Sequence, residues 1–442
     1  MEHVDNLGRA TRLQLFRWDL PQTRAFHITW ISFFLCFFGW FGIAPLMPVV
    51  RADLGLSKTQ IGNIVIASVF ITVFVRLLVG PLCDKYGPRK TYSALLLLGS
   101  LPVMGIGLAT NYEQFLLFRL AIGAIGASFI ITQYHTSVMY APNVVGLANA
   151  TAAGWGNLGG GVTQAVMPMV LALIVSLGVE QTVGWRLAMV VPGLAMLLMS
   201  FVYWKYTQDA PRGNYSEPGV KLDVPGKKTT AAGFQEAMRD VRVWALFVIY
   251  AACFGVEIAF ENVVVMYYFD NFALDLKTAG LIAAMFGGMS LFARSLGGWL
   301  SDRWARKGLQ SRVTLLFWVI LGQGIAMTVF SRMDVLGLAV LMMVVFSAFM
   351  KMAEGATYGV VPFVNRRALG AVAGIVGAGG NVGAVMAGFL FRSESVTTQD
   401  ALLYMGLAVI ASSGAVWLVR LQAAEPVAAT VIPIAAGVNH GA

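Results

Sequence analysis

Two arginines in this chain stand where apolar sequence should not tolerate them. Arg76 and Arg294 each lie inside an apolar run, eight residues before an aspartate, Asp84 and Asp302. At about 1.5 Å per helical residue, each guanidinium sits roughly 12 Å in from its helix end. A charge at that depth in a bilayer costs several kcal/mol, and the distance is long for snorkelling. Neither arginine has an acid near it on its own helix. Two unpaired guanidiniums at matching depths repel each other unless an anion sits between them. The planar fork of N–H donors suits a planar oxyanion. The competing reading pairs each arginine with an acid on another helix.

A second set of polar residues sits among glycines. One stretch holds Gly154, Gly156, Asn157, Gly159, Gly160 and Gly161; another holds Gly377, Gly379, Gly380, Asn381 and Gly383. Glycine at this density lets helix backbones approach and slide, and each stretch keeps one amide able to donate to a substrate oxygen. A dinucleotide-binding loop needs a βαβ context, which this chain lacks.

The elements that must carry these residues are membrane helices. Of 442 residues, 58% are hydrophobic and 12% charged, too little charge to cover a soluble domain of this size. Mean hydropathy is +0.72. Apolar runs of about twenty residues match a bilayer core, without the alternation of a barrel. The predicted spans are 27–50, 60–82, 90–110, 113–140, 145–177, 185–204, 242–269, 277–300, 311–331, 334–362, 368–391 and 400–420. The first run is too long for a signal-peptide core and reads as helix 1. Cys36, Cys83 and Cys253 suggest no disulfide framework.

The net charge of +9 sits in loops: Arg9 to Arg24, Lys85 to Lys90, Arg303 to Lys307 and Arg366–Arg367. It reads as topology control, with both termini cytoplasmic, rather than as nucleic-acid binding. Arg, Gly and Asp recur 218 residues apart (Arg76/Arg294, Gly80/Gly298, Asp84/Asp302), and the amides Asn157 and Asn381 recur at nearly the same offset. Duplication of a six-helix unit explains this. The expected organisation is an N-terminal segment at 1–26, a first half at 27–204, a linker at 205–241, a second half at 242–420 and a tail at 421–442. The linker carries Pro211, Pro218, Pro225 and the pair Lys227–Lys228, with a short amphipathic helix around Phe234–Met238. The fold class is an all-α membrane protein of twelve helices in two pseudo-symmetric halves.

The run Gly80-Pro-Leu-Cys-Asp84-Lys85, followed by Arg89, and its echo Gly298 to Asp302 and Arg306, resemble the helix 2–3 signature of the major facilitator superfamily. Such a run works as a conformational latch, with the glycines allowing close helix contact and the aspartates pairing across the bundle in one state. The paired Gly/Asn stretches resemble the two signature motifs of that superfamily's nitrate/nitrite porter family. Gly255-Val-Glu257 with Glu261-Asn262, and Ala353-Glu354-Gly355-Ala356 with Val361-Pro362-Phe363, fit it too. The resemblance spans essentially the whole chain. It implies a secondary transporter, not an enzyme, with nitrate or nitrite held by Arg76 and Arg294. It further implies substrate contacts from Tyr250 and Phe254, and more loosely Phe129; each has core packing as its alternative.

Other intramembrane polar residues are Glu257, Glu261, Lys351, Glu354 and His135. An acid near two arginines could offset their charge or carry a coupled proton. The competing readings are an outer-surface Glu261, a Lys351–Glu354 pair within one helix, and a merely packed His135. The carboxylates favour proton-coupled uptake; nitrate/nitrite exchange is the alternative, and an anion channel or transporter-like sensor the rival of another class. No cofactor or metal is expected, and a monomer suffices.

Overall fold

The computed structural model describes residues 4–141, 143–217, 231–365 and 369–421. Among the described residues, twelve helices are long and apolar enough to span a membrane: α1 Pro21–Leu54, α2 Lys58–Tyr86, α3 Pro88–Leu108, α4 Tyr112–Met139, α5 Val145–Ser176 and α6 Gln181–Tyr206. After a short helix at Ala231–Arg239 come α7 Val241–Phe272, α8 Leu276–Ala305, α9 Ser311–Phe330, α10 Leu336–Phe363, α11 Ala371–Arg392 and α12 Thr398–Leu418. The chain is therefore a multi-pass membrane protein. Spans α1 and α7 begin and end close to expectation, except that α1 starts six residues early at Pro21. The basic residues Arg366–Arg367, the linker prolines Pro218 and Pro225 with Lys227–Lys228, and the tail beyond Leu421 lie outside the described residues.

An even number of spans puts the two ends of the described chain on one face. On the far face, helix starts are capped by short polar side chains. Ser57 and Gln60 form a reciprocal capping box on α2, Asn111 caps α4, Asp275 caps α8 and Thr397 caps α12. Each satisfies backbone donors that a helix end leaves unpaired.

Helix α5 packs between α1 of its own half and α8 of the other; α11 packs between α7 and α2 in the same way. These two seams hold the halves together, and glycine makes them tight. A Cβ on Gly287 would lie 2.1 Å from the Gly161 Cα, and one on Gly62 2.3 Å from the Arg392 Cα. At the far face Arg51 makes a bidentate pair with Asp270, both bonds 2.7 Å. Beside it Lys58 donates to the Val396 carbonyl, and Thr59 Oγ1 to Glu394 at 3.0 Å. The bundle is closed on that face.

The N-terminal segment is docked rather than free: the Ala10 N–H donates to the Met139 carbonyl at 3.0 Å, and the Ala10 carbonyl accepts from Ala141. The loop after α6 is fastened by Asp209, which is fully buried and accepts from the N–H groups of Arg89 (2.9 Å) and Tyr215 (3.2 Å). Burial raises the Asp209 pKa above the usual carboxylate range, against the pull of those two bonds and of the Arg89 and Lys90 charges. Gly87, at φ +86°, makes room for it; a Cβ there would stand 2.3 Å from Asp209 Oδ1.

The latch residues depart from expectation in this conformation. Gly80 and Gly298 have nothing within 4 Å of a Cβ position, so they make no close helix contact here. Asp84 accepts from the Tyr134 hydroxyl at 2.9 Å, and Asp302 pairs with Arg312 at 2.7 Å. Both partners belong to the aspartate's own half, so neither aspartate bridges the bundle. Arg89 lies over the Trp204 ring, and Arg306 is exposed at the end of α8. A latch between halves engages only when the helix ends bearing it approach, and the tight seam here is at the opposite end.

Candidate functional site

Helix irregularities surround the two arginines. In α4 a 3₁₀ stretch runs over Ala124–Ala127 and presents the Gly126 carbonyl sideways. In α7 a π-turn occupies Ala251–Gly255, directly after Tyr250. In α8 a 3₁₀ turn at Met289–Leu291 precedes Ala293 and Arg294. Such turns re-aim side chains and free carbonyls, and π-turns concentrate at functional sites.

Arg76 meets neutral groups. Its Nη2 donates to the Gly126 carbonyl at 3.3 Å and its Nη1 to the Gly377 carbonyl across the seam at 3.4 Å. Its guanidinium carbon lies 5.9 Å from the Phe129 ring centre, and its buried Nε has no partner. Arg294 is different. Its Nη1 stands 2.9 Å from Glu354 Oε2 on α10, and its Nη2 donates to the Tyr250 hydroxyl at 3.4 Å. The expectation of two unpaired arginines is therefore corrected for Arg294. Only the guanidinium of the first half lacks an acid.

Tyr358 joins the two. Its ring packs edge-on against Tyr250 with centroids 5.2 Å apart, and its hydroxyl lies 3.3 Å from a Cβ position on Gly377, whose carbonyl binds Arg76. Sequence reasoning missed this residue, although it stands one turn beyond Glu354 and hence on the same face of α10.

The glycine stretches build two matching walls. Phe33 of α1 fills the space over Gly156, and Phe254 of α7 fills the space over Gly380. Beside them Asn157 and Asn381 are buried, and neither amide has a hydrogen-bond partner on its oxygen or its nitrogen. An unmet buried amide costs about 1–3 kcal/mol, so such groups call for a polar ligand. Gly159 and Gly379 sit against the carbonyls of Phe34 and Phe247, and Gly383 against that of Ala251. Gly160 faces Glu261, and Gly154 the Ser290 carbonyl at 3.3 Å. Phe129 packs on Phe33, and Phe254 stacks on Tyr250 at 5.2 Å. All three aromatic candidates are thus within one or two contacts of an arginine.

The carboxylates also part from simple expectation. Lys351 does not pair with Glu354 on its own helix; it pairs with Glu257 of α7, both fully buried. Glu261 is not at the outer surface: it is 1% exposed, facing Gly160 across the seam. Beyond it, fully buried Arg119 bridges the halves, donating to the Trp40 carbonyl at 2.8 Å and to Asn262 Oδ1 at 2.9 Å. His135 is a packed polar residue, held by the Tyr203 hydroxyl at 2.6 Å and the Gln208 carbonyl at 2.8 Å. Among the described residues no His, Cys, Asp and Glu cluster could hold a metal.

The Major Facilitator Superfamily profile matches residues 29–388. The High affinity nitrate transporter 2.5 of Arabidopsis thaliana is 40% identical over 412 residues, covering 93% of this chain and 82% of that protein. The chain belongs to the nitrate/nitrite porter family of the major facilitator superfamily. Within that family it is also similar to the Nitrate/nitrite transporter NrtP of a Picosynechococcus species, 29% identical over 446 residues and covering 81% of this chain and 83% of that one. The fold matches a bacterial homologue of the human lysosomal transporter Spinster in an inward-facing, occupied conformation. That match has a TM-score of 0.70 at 15% identity and covers 89% of this chain and 95% of that one. In the porter, then, the duplicated arginines, amides and aromatic walls stand in a transporter fold, and the chain is not an enzyme.

Proposed function

We propose that this porter moves nitrate, with nitrite as a second substrate of the same site, across the cell membrane by alternating access. Nitrate lies between Arg76 and Arg294, contacts Tyr250, Phe254 and Phe129, and takes hydrogen bonds from Asn157 and Asn381. The observation that carries this reading is the approach of one arginine from each half to the Tyr250–Tyr358 pair, Arg294 through the Tyr250 hydroxyl and Arg76 through the carbonyl of Gly377, which Tyr358 adjoins. The unmet amides supply donors for a planar oxyanion, and the relatives' names fit the same substrate. Basic loops support cytoplasmic termini, which makes the far face extracytoplasmic and this conformation shut to the outside. One chain contains the whole path and acts as a monomer.

Uptake is proton-coupled, with the carboxylates of the second half carrying the proton. Exchange of nitrate for nitrite has one observation in its favour: Arg76 has no acid beside it, so the empty carrier keeps a positive charge that resists return without an anion. Nitrate entry into liposomes holding the purified chain, read with a trapped pH dye, separates the two. Symport acidifies the lumen; exchange moves no protons and speeds up with internal nitrite. Arg76→Lys and Arg294→Lys should each abolish uptake, because an ammonium cannot reproduce the fork. Normal nitrate affinity in either variant would refute the clamp.

A further inference from the structure

We propose that Glu354 is the proton-binding group of the carrier, and that it must be protonated before Arg294 is free to hold an anion. The inference rests on the clamp reading above and deepens it. Glu354 is fully buried, and its Oε2 occupies Arg294 Nη1 at 2.9 Å. That carboxylate holds the guanidinium edge an incoming anion needs. Two anions on one buried guanidinium repel at short range in a low dielectric, so one must be neutralised or leave.

The surroundings decide which group takes the proton. Two buried carboxyls, Glu257 and Glu354, share this cluster with two cations, Lys351 on Glu257 and Arg294 on Glu354. Lys351 keeps Glu257 ionised in a pair that no anion competes for, so the proton goes to Glu354, whose partner Arg294 the anion needs. No donor reaches either Glu354 oxygen, or Glu257 Oε2, in hydrogen-bond geometry. The other groups facing Glu354 are Tyr250 and Cys253 from α7, Arg294 from α8, and Lys351 and Tyr358 from its own helix. Glu261 faces Glu257 and Lys351.

Within the second-half cluster, charge accounting closes on one anion, while Arg76 keeps the same charge with the site empty or filled. With Glu257 and Glu354 ionised, Arg294 and Lys351 are balanced. A proton from water forms one O–H bond on Glu354 and breaks only its ion pair, leaving one positive charge for a monovalent anion to match. Loss of that proton to the opposite compartment restores the Glu354–Arg294 pair and expels the anion. The anion and the proton therefore travel together.

The test is nitrate binding to the full chain in nanodiscs, by calorimetry in buffers of different ionisation enthalpy. The wild type should take up one proton per nitrate, with affinity falling up to tenfold per pH unit on the alkaline side of the Glu354 titration. Glu354→Gln keeps the shape and removes the titration: nitrate should still bind, with no proton uptake and a flat pH profile. In liposomes this variant should keep nitrate counterflow and lose uptake driven by a pH gradient. Wild-type proton uptake in Glu354→Gln would overturn the proposal, as would loss of nitrate binding by a normally melting variant. If wild type and Arg294→Lys bind nitrate equally, the clamp reading fails instead.

Discussion

Replacing Gly287 with alanine should tip this carrier toward the conformation open at the far face. The new Cβ would stand 2.1 Å from the Gly161 Cα, whereas ordinary contact begins at 3.4 Å. Helices α5 and α8 must then separate by the difference, about 1.3 Å. Their neighbours on that seam cannot yield cheaply: Gly280 packs on the Gln164 carbonyl, and Gln164 itself donates to the Glu261 carbonyl. Overpacking of this kind costs about 1–3 kcal/mol. The cost falls only on the state in which the two helices touch, so the equilibrium shifts by roughly 5- to 150-fold. Spin labels at Glu113 and Asp334, exposed on the far face of opposite halves, report it by dipolar spectroscopy in nanodiscs. The long-distance population should rise in Gly287→Ala, while nitrate counterflow slows. Gly80→Ala is the opposite perturbation: nothing lies within 4 Å of its Cβ here, and its contact forms only when the termini face closes. It should leave the short-distance population intact or enlarge it. An unchanged distance distribution in Gly287→Ala, or the same direction of shift in both variants, would refute the reasoning.

Other outcomes follow from single contacts. Tyr358→Phe removes the hydroxyl beside Gly377 and should raise the KM for nitrate by roughly 10- to 150-fold, the weight of one hydrogen bond to a charged group, with little change in melting temperature. Lys351→Met leaves Glu257 buried without its cation and should destabilise by about 3–5 kcal/mol; the double replacement Lys351→Met with Glu257→Leu should recover most of it in thermal unfolding. Burial raises the Asp209 pKa in the folded protein, so its contribution to stability is complete below the ordinary value of 3.8 and is lost as pH rises through the raised value. Asp209→Asn should remove that acid-side slope from melting curves measured between about pH 3 and pH 7.

What could be read along the chain was whatever repeats or persists along the chain. Twenty-residue apolar runs mark the spans, and duplication marks Arg76 with Arg294 and Asn157 with Asn381. Pairing that depends on how helices rotate against each other left no such trace. Lys351 and Glu354 stand three residues apart, a spacing that suits a pair on one helix. In the bundle Lys351 turns to α7 and Glu354 to α8. Arg294 therefore looked unpaired, because its acid lies sixty residues downstream. The breaks in α4, α7 and α8 were equally hidden, since 3₁₀ and π turns here contain ordinary helix-compatible residues. Latch contacts belong to one conformation, and sequence alone does not say which conformation is populated.

The Glu257–Lys351 pair bears on how the chain is made. Span α7 enters the bilayer carrying Glu257 and Glu261, and α10, with Lys351 and Glu354, emerges only after two further spans have been synthesised. An acidic or basic residue at a helix centre opposes insertion by about 2.5–3.5 kcal/mol. Until α10 arrives, α7 must hold its carboxyls protonated or stay close to the insertion machinery. A ribosome-bound chain halted after α9 should leave α7 poorly anchored, and extension through α10 should fix both at once. The second half then matures as a unit, and in the first half α4, whose buried Arg119 takes its side-chain partner Asn262 from α7, completes its packing only once α7 is in place.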